Sequence, residues 1–341
     1  MNAGPLADIA AQLMAGDKGL LAIDESNGTC NRRFAALGIV QSEENRRRWR
    51  ELIVTTPDLG QSISGVILYD ETIHQATADG RPFIDLLAEA GILIGIKVDT
   101  GAKPLAGFPG ETITEGLDGL RERLHGYAAN GARFAKWRAV FNADDGTPSP
   151  ACIQANAQAL GRYAALCQEA GLVPVVEPEL LMVGDHDIEY CAKLSQTILE
   201  TVFSQLSAQR VMLEGMILKP NMVLAGSDCV DQATLERIVD ATVACFLRAV
   251  PAAVPGIAFL SGGQSPELAS ERLNAMNARS RHKLPWPLAF SYARAIQQPA
   301  LALWAGEDGN LGLAQQALVY RAGCNRAARR GEYVASTDLP S

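Results

Sequence analysis

Short apolar runs of strand length recur along the chain. Between them lie longer stretches in which apolar positions return every three or four residues. The runs at 20–24, 65–70, 95–99, 134–138, 173–179, 216–221, 256–263 and 288–292 predict eight strands. The stretches at 155–170, 187–206 and 234–250 predict amphipathic helices, and residues 1–16 predict a helix over one end of the fold. Apolar strands alternating with helices imply parallel pairing and right-handed crossovers. The simplest closed solution is a single-domain α/β fold, the (β/α)8 TIM barrel. A doubly wound open sheet is the alternative, weakened in its nucleotide-binding form because no glycine-rich loop follows the first strand.

Polar residues fall at the C-terminal ends of these runs: Asp24, Asp70, Lys97, Lys136, Glu177 with Glu179, Lys219, Ser261 and Ser291. In a barrel such ends converge on one mouth, where active sites are built. Three lysines stand out because each interrupts or ends an apolar run, and the chain has only seven lysines against 23 arginines. Arginine is the better structural ion-pair partner. What lysine offers is a usable neutral amine. At the ordinary pKa about 1 amine in 2,500 is neutral at pH 7, and burial or a neighbouring cation raises that fraction. The chemistry this permits is imine formation with a carbonyl substrate.

Other candidates carry both a functional and a plain reading. Glu177 and Glu179 bracket Pro178, and the two-residue period puts both carboxylates on one side of the strand. They can perform acid–base work beside the lysines, or form salt bridges to Lys136 and Arg138. Asp24 can orient an amine or a substrate hydroxyl, or serve as a helix cap. Ser261-Gly262-Gly263 is a common turn, yet before a helix it also suits an anion. Ser291 and Arg294 can reach the same anion, and Arg33, near Ser26 and Thr29, can clamp a second one. Arg46-Arg47-Arg48 reads as a solvated helix face.

Composition narrows the function classes. The chain has 341 residues, 48% of them hydrophobic and 20% charged, which fits an ordinary soluble globular protein. A net charge of −8 argues against a nucleic-acid or anionic-membrane surface. Seven scattered cysteines without a CxxC pair imply reduced thiols in a cytosol-like compartment. No signal peptide is visible, and 241–260 reads as helix, turn and strand rather than a membrane span. His74, His125, His186 and His282 show no ligand spacing, so no catalytic metal or other cofactor is expected.

The stretches KGLLAIDES (18–26), SEENRR (42–47), GVILYDET (65–72), DGRPF (79–83), GIKVDTG (95–101) and GETITEGLDGL (110–120) resemble one family. So do FAKWR (134–138), VPVVEPE (173–179), GDHD (184–187), LKPNM (218–222), FLSGGQS (259–265) and FSYARA (290–295). The family is class I fructose-1,6-bisphosphate aldolase, the metal-independent Schiff-base type. The resemblance is colinear from about residue 5 to 335. It implies Lys219 as the Schiff-base lysine, Glu177 as the general acid–base, and Glu179 as its neighbouring carboxylate. It implies Lys136 as the lysine that tunes the amine and assists at the carbinolamine, and Asp24 as the guide of carbon–carbon cleavage. Ser261, Gly262, Gly263, Ser291 and Arg294 correspond to the C1-phosphate site. Ser26, Arg33 and Lys97 match positions toward the C6 phosphate, and the resemblance implies that Thr29 and Arg138 also bind substrate.

Three departures accompany the resemblance. Ala293 stands where many members have glycine, Thr29 where serine is common, and no terminal tyrosine follows Tyr333. A barrel over 1–330 and a mobile tail over 331–341 are expected. A cytoplasmic homotetramer acting on sugar phosphates, with no nucleic-acid or membrane partner, is what the resemblance implies. A related Schiff-base aldolase for another sugar phosphate, such as sedoheptulose 1,7-bisphosphate, or a non-catalytic sugar-phosphate-binding scaffold, are the alternatives.

Overall fold

The computed structural model describes residues 3–144, 146–280 and 283–335. α1 (Ala3–Leu13) leads into β1 (Gly19–Ala22), α2 (Asn27–Ala35) and α3 (Glu43–Val54). β2 (Ile63–Leu68), α4 (Asp70–Ile73), α5 (Phe83–Glu89) and β3 (Leu93–Lys97) follow. A hairpin of β4 (Gly101–Pro104) and β5 (Thr112–Glu115) precedes α6 (Leu120–Ala129), β6 (Phe134–Phe141) and α7 (Pro150–Glu169). β7 (Val173–Leu180), α8 (Ile188–Ala208), β8 (Ile217–Leu218) and α9 (Leu235–Ala249) come next. β9 (Ile257–Phe259), α10 (Pro266–Ser280), β10 (Leu288–Tyr292), α11 (Arg294–Trp304) and α12 (Leu311–Arg330) complete the chain.

Eight strands close into a parallel barrel in the order β1-β10-β9-β8-β7-β6-β3-β2. The expected (β/α)8 fold is therefore present as a single domain. The predicted helices at 155–170, 187–206 and 234–250 correspond to α7, α8 and α9. Their starts are capped by Ser149, Asp187 and Thr234, each accepting a backbone N–H three residues on.

The two-residue period of the strands divides the core in two. Leu20, Ala22, Ile67, Phe134, Val173, Val175, Ile217, Ala258 and Ala289 fill the barrel interior. Leu21, Ile23, Ala135, Trp137, Val176, Leu218, Phe290 and Tyr292 face the helices. Phe134 needs room inside, and Gly95 supplies it: a Cβ there would meet the ring at 2.2 Å. α1 covers the N-terminal end, packing Leu6, Ala10 and Leu13 against the interior cluster, as expected for a helix over one end.

Several boundaries differ from expectation. The run 216–221 is regular strand only over Ile217–Leu218, and 256–263 only over Ile257–Phe259. Single backbone bonds continue past them toward the mouth, from Lys219 N–H to the Val176 carbonyl at 2.8 Å and from Leu260 N–H to the Pro220 carbonyl at 3.0 Å. Asp70 does not join the mouth: Ile67 faces the interior, so parity turns Asp70 outward, where it accepts a hydrogen bond from Tyr127 of α6 at 2.6 Å. The β4–β5 hairpin was not foreseen. Arg46, Arg47 and Arg48 form no solvated face. Arg46 pairs with Glu71 of α4 and Arg48 with Asp308 just before α12, while Arg47 pairs with Glu44 and Glu51 one turn away on α3 itself. Tyr333 donates its N–H to Asn274 Oδ1 of α10, while 336–341, most of the expected tail, and His282 lie outside the described residues.

Candidate functional site

Following the interior rows toward the C-terminal ends of the strands leads from apolar to charged positions. Val173 and Val175 are succeeded by Glu177 and Glu179, Phe134 by Lys136 and Arg138, Ile217 by Lys219, and Ala22 by Asp24. One parity rule thus builds both the plug of the barrel and the floor of its mouth. The resulting cleft has a volume of about 470 Å³. Apart from Asp70, the sequence-predicted residues all line it except Gly263, which lies in the adjoining turn.

At the floor, Lys136 Nζ lies 2.6 Å from Asp24 Oδ2 and 3.1 Å from Glu177 Oε2. Lys219 Nζ lies 3.2 Å from Glu177 Oε1. All four side chains are buried. Burial alone would raise the Asp24 carboxyl, but Lys136, Lys219 and Lys97 outweigh it and hold the group well below its ordinary range. Burial likewise opposes charge on Glu177, yet Lys136, Lys219 and Arg138 keep its pKa lowered. Burial would lower Lys136, but Asp24, Glu177 and Asp99 drive it upward, so its ammonium is held protonated. Glu177 Oε2 is buried without an aligned hydrogen-bond donor.

Toward one side, cations are already paired. Arg138 Nε donates to Glu179 Oε2 at 2.5 Å, so the plain reading of that carboxylate as a salt-bridge partner holds. Lys97 Nζ reaches Asp99 Oδ1 and the Asp99 carbonyl, both at 2.8 Å. Arg33 donates to Glu25 Oε1 at 2.5 Å, and Glu25 Oε2 accepts from buried Arg50 at 2.7 Å. Ser26, rather than Asp24, caps α2, and its hydroxyl lies 3.2 Å from Thr29 Oγ1.

The opposite side is unpaired. The Ser291 hydroxyl oxygen is buried with no partner, and Arg294 makes no hydrogen bond or ion pair among the described residues. Burial and the nearby Arg33 guanidinium lower the Arg294 pKa. Gly262 and Gly263 have φ of 55° and 91°, the paired positive values of a primed turn, closed by Gln264 N–H donating to Ser261 O at 2.9 Å. Ala293 has φ −105° and ψ −87°, so the position does not require the positive φ that favours glycine.

Sequence reasoning missed Glu25, Arg50, Asp99 and Gln297, whose amide donates to Glu25 at 2.8 Å. For Arg50 a signal existed: it interrupts the apolar end of α3, next to Trp49. Among the described residues no group of His, Cys, Asp or Glu side chains is arranged to hold a metal ion. No helix among them is long and apolar enough to cross a membrane.

A parallel barrel whose mouth holds two buried lysines sharing one carboxylate belongs with the barrels equipped for lysine-based carbonyl chemistry. The family model for fructose-bisphosphate aldolase class-I matches residues 5–340. A probable fructose-bisphosphate aldolase class 1 of Xanthomonas campestris is 54% identical, covering 98% of this chain and 99% of its own. Fructose-bisphosphate aldolase 4, cytosolic, of Arabidopsis thaliana is 50% identical, covering 97% and 84%. The solved Plasmodium falciparum fructose-bisphosphate aldolase, in complex with TRAP and a small-molecule inhibitor, superposes with TM-score 0.95 at 44% identity, over 97% and 96% of the chains. The chain belongs to the class I fructose-bisphosphate aldolase family.

Proposed function

We propose that this protein cleaves fructose 1,6-bisphosphate reversibly to dihydroxyacetone phosphate and glyceraldehyde 3-phosphate through an imine on Lys219. The observation that carries the reading is the buried pair of lysines sharing Glu177 at the barrel mouth. Lys219 Nζ adds to the C2 carbonyl carbon, and Glu177 carries the proton that the amine loses to the C2 oxygen, giving a neutral carbinolamine. A second proton, from the Lys136 ammonium, lets that hydroxyl leave as water. The resulting iminium is the electron sink. Asp24 accepts the C4 hydroxyl proton, the C3–C4 bond breaks, and its electrons enter the iminium to give an enamine. Glyceraldehyde 3-phosphate departs, C3 is protonated, and water releases the second product and the free amine.

Ser261, Gly262, Gly263, Ser291 and Arg294 bind the C1 phosphate. Ser26, Thr29, Arg33 and Lys97 face the C6 phosphate, and Arg138 with Glu179 shapes the wall between. Two anchored phosphates fix C2 beside the amine, which converts binding into rate. The barrel domain spans 1–330 with a tail beyond it, and the working unit is a cytoplasmic homotetramer. The cytosolic designation of the Arabidopsis relative supports the location.

The test is borohydride trapping with dihydroxyacetone phosphate in EDTA, followed by peptide mass mapping. A reduced adduct on Lys219 is expected, with no adduct and no turnover in Lys219→Arg. Turnover surviving in Lys219→Arg would overturn the assignment.

A further inference from the structure

The turn Ser261–Gln264 is tied to the helix that follows it. Gln264 is only 6% exposed, although a glutamine at the end of a turn can point to water at no cost. Its Oε1 accepts a hydrogen bond from Arg272 Nη1 at 2.7 Å, and its Nε2 lies 3.8 Å from Met222 Sδ. Arg272 sits nearly two turns into α10 and is half-buried. Among the described residues no carboxylate lies within ion-pairing distance of it. A guanidinium half out of water with one neutral amide as partner is under-compensated, and burial lowers its pKa accordingly. Most arginines of this chain in comparable settings, such as Arg46, Arg47 and Arg50, have a carboxylate. The start of α10, just past the turn, is held too: Arg321 of α12 donates to the Pro266 carbonyl at 2.5 Å and to Ser270 Oγ at 2.9 Å.

The turn needs such support. Its two central residues are glycines, the residues with the most backbone freedom to lose. Neither glycine N–H donates to another described residue, so nothing on the cleft side fixes the turn before an anion arrives. Beside it stand the orphan Ser291 hydroxyl and the unpaired Arg294, which require those N–H groups at a fixed position to share one ligand.

We propose that Arg272 is a positioning residue for the phosphate site: through Gln264 it holds the Ser261–Gln264 turn in its anion-receiving conformation. This rests on the reading of that turn as the C1-phosphate site. The link is a single hydrogen bond from a cation, so a lysine can replace it whereas a methionine cannot. Losing it lets the glycine turn move and weakens phosphate binding about tenfold, the scale of one charge-assisted hydrogen bond.

The experiment is a double-mutant cycle over Arg272→Met and Gln264→Leu, with Arg272→Lys as the rescue, read by calorimetric titration with inorganic phosphate and by kcat/KM on fructose 1,6-bisphosphate. Each single neutral variant is expected to lose about tenfold in phosphate affinity, the double variant no more than either, and Arg272→Lys to stay within about threefold of wild type. Phosphate affinity unchanged in Arg272→Met, or losses that multiply in the double variant, would overturn the proposal. If Arg272→Met does not fold, unchanged phosphate affinity in Gln264→Leu does the same. Phosphate titration needs no turnover, so a wild-type protein without aldolase activity would sink the functional reading while still deciding the strap.

Discussion

Replacing Lys136 by methionine probes the electrostatic floor of the cleft directly. Coulomb's law at an effective dielectric of about 20 gives roughly 6 kcal/mol for the 2.6 Å contact to Asp24 and roughly 5 kcal/mol for the 3.1 Å contact to Glu177. Removing the ammonium also removes its own desolvation cost, several kcal/mol, and its repulsion with Lys219. What remains is a net loss of about 3–5 kcal/mol, the usual cost of stranding a buried charge. The sign of the pH dependence is the sharper signature. In the wild type, Asp24 and Glu177 have folded pKa values below their ordinary values of 3.8 and 4.5. Their stabilisation is complete above those values and is lost only as pH falls through the folded ones. In Lys136→Met, Asp24 loses the first of the cations that oppose its burial and keeps Lys219 and Lys97, so its pKa rises relative to wild type. The deficit against wild type therefore shrinks once pH falls below that raised pKa, by up to about 1.4 kcal/mol per unit. Urea unfolding followed by the fluorescence of buried Trp49, Trp137 and Trp304 measures both quantities. A deficit under 1 kcal/mol at pH 7.5, or one that widens on acidification, would refute this account (thresholds of about one hydrogen bond).

Ser291→Ala should separate stability from binding. It removes a buried hydroxyl that has no partner, so the melting temperature should hold or rise, by about 1 kcal/mol equivalent, while phosphate affinity falls about tenfold in titration. Arg50→Met strands the buried Glu25 with Arg33 and Gln297 alone, and should cost about 3 kcal/mol in urea unfolding. Gly95→Ala drives a methyl into the Phe134 ring and should cost at least about 1–3 kcal/mol by the same measurement. Neutral behaviour at Gly95 would show that the barrel interior is looser than its packing suggests.

The period of the strands made the barrel legible, because buried parallel strands read as near-continuous apolar runs. The same period made Lys136, Glu177 and Lys219 legible, since a charge in such a run is out of place unless it faces a mouth. The parity of Asp70 was also available, and counting from Ile67 would have placed it outside. What the sequence did not display were contacts closed by folding over long separations. Glu25 meets Arg50 and Gln297 across 25 and 272 positions, and no local pattern distinguishes Gln297 from any helix glutamine. The hairpin escaped because its strands are short and partly exposed, without an apolar run. Arg46, Arg47 and Arg48 look solvated in isolation; the Arg47 partners Glu44 and Glu51 lie within one turn, whereas Glu71 and Asp308 reach Arg46 and Arg48 only on folding.

The pairing of β1 with β10 has a consequence in time. Leu20 pairs with Ser291, which follows it by 291 − 20 = 271 residues. At translation rates of about 5–20 residues per second, the first strand waits roughly 14–54 s for its second neighbour to be synthesised. Throughout that interval β1 presents an open edge, the kind of surface that recruits other chains. Ser291 and Arg294 arrive with that last strand, so no partly made chain can assemble the whole cleft. The ribosome thus delivers closure of the ring and completion of the site as one late event, and whatever shields nascent β1 governs the yield of both.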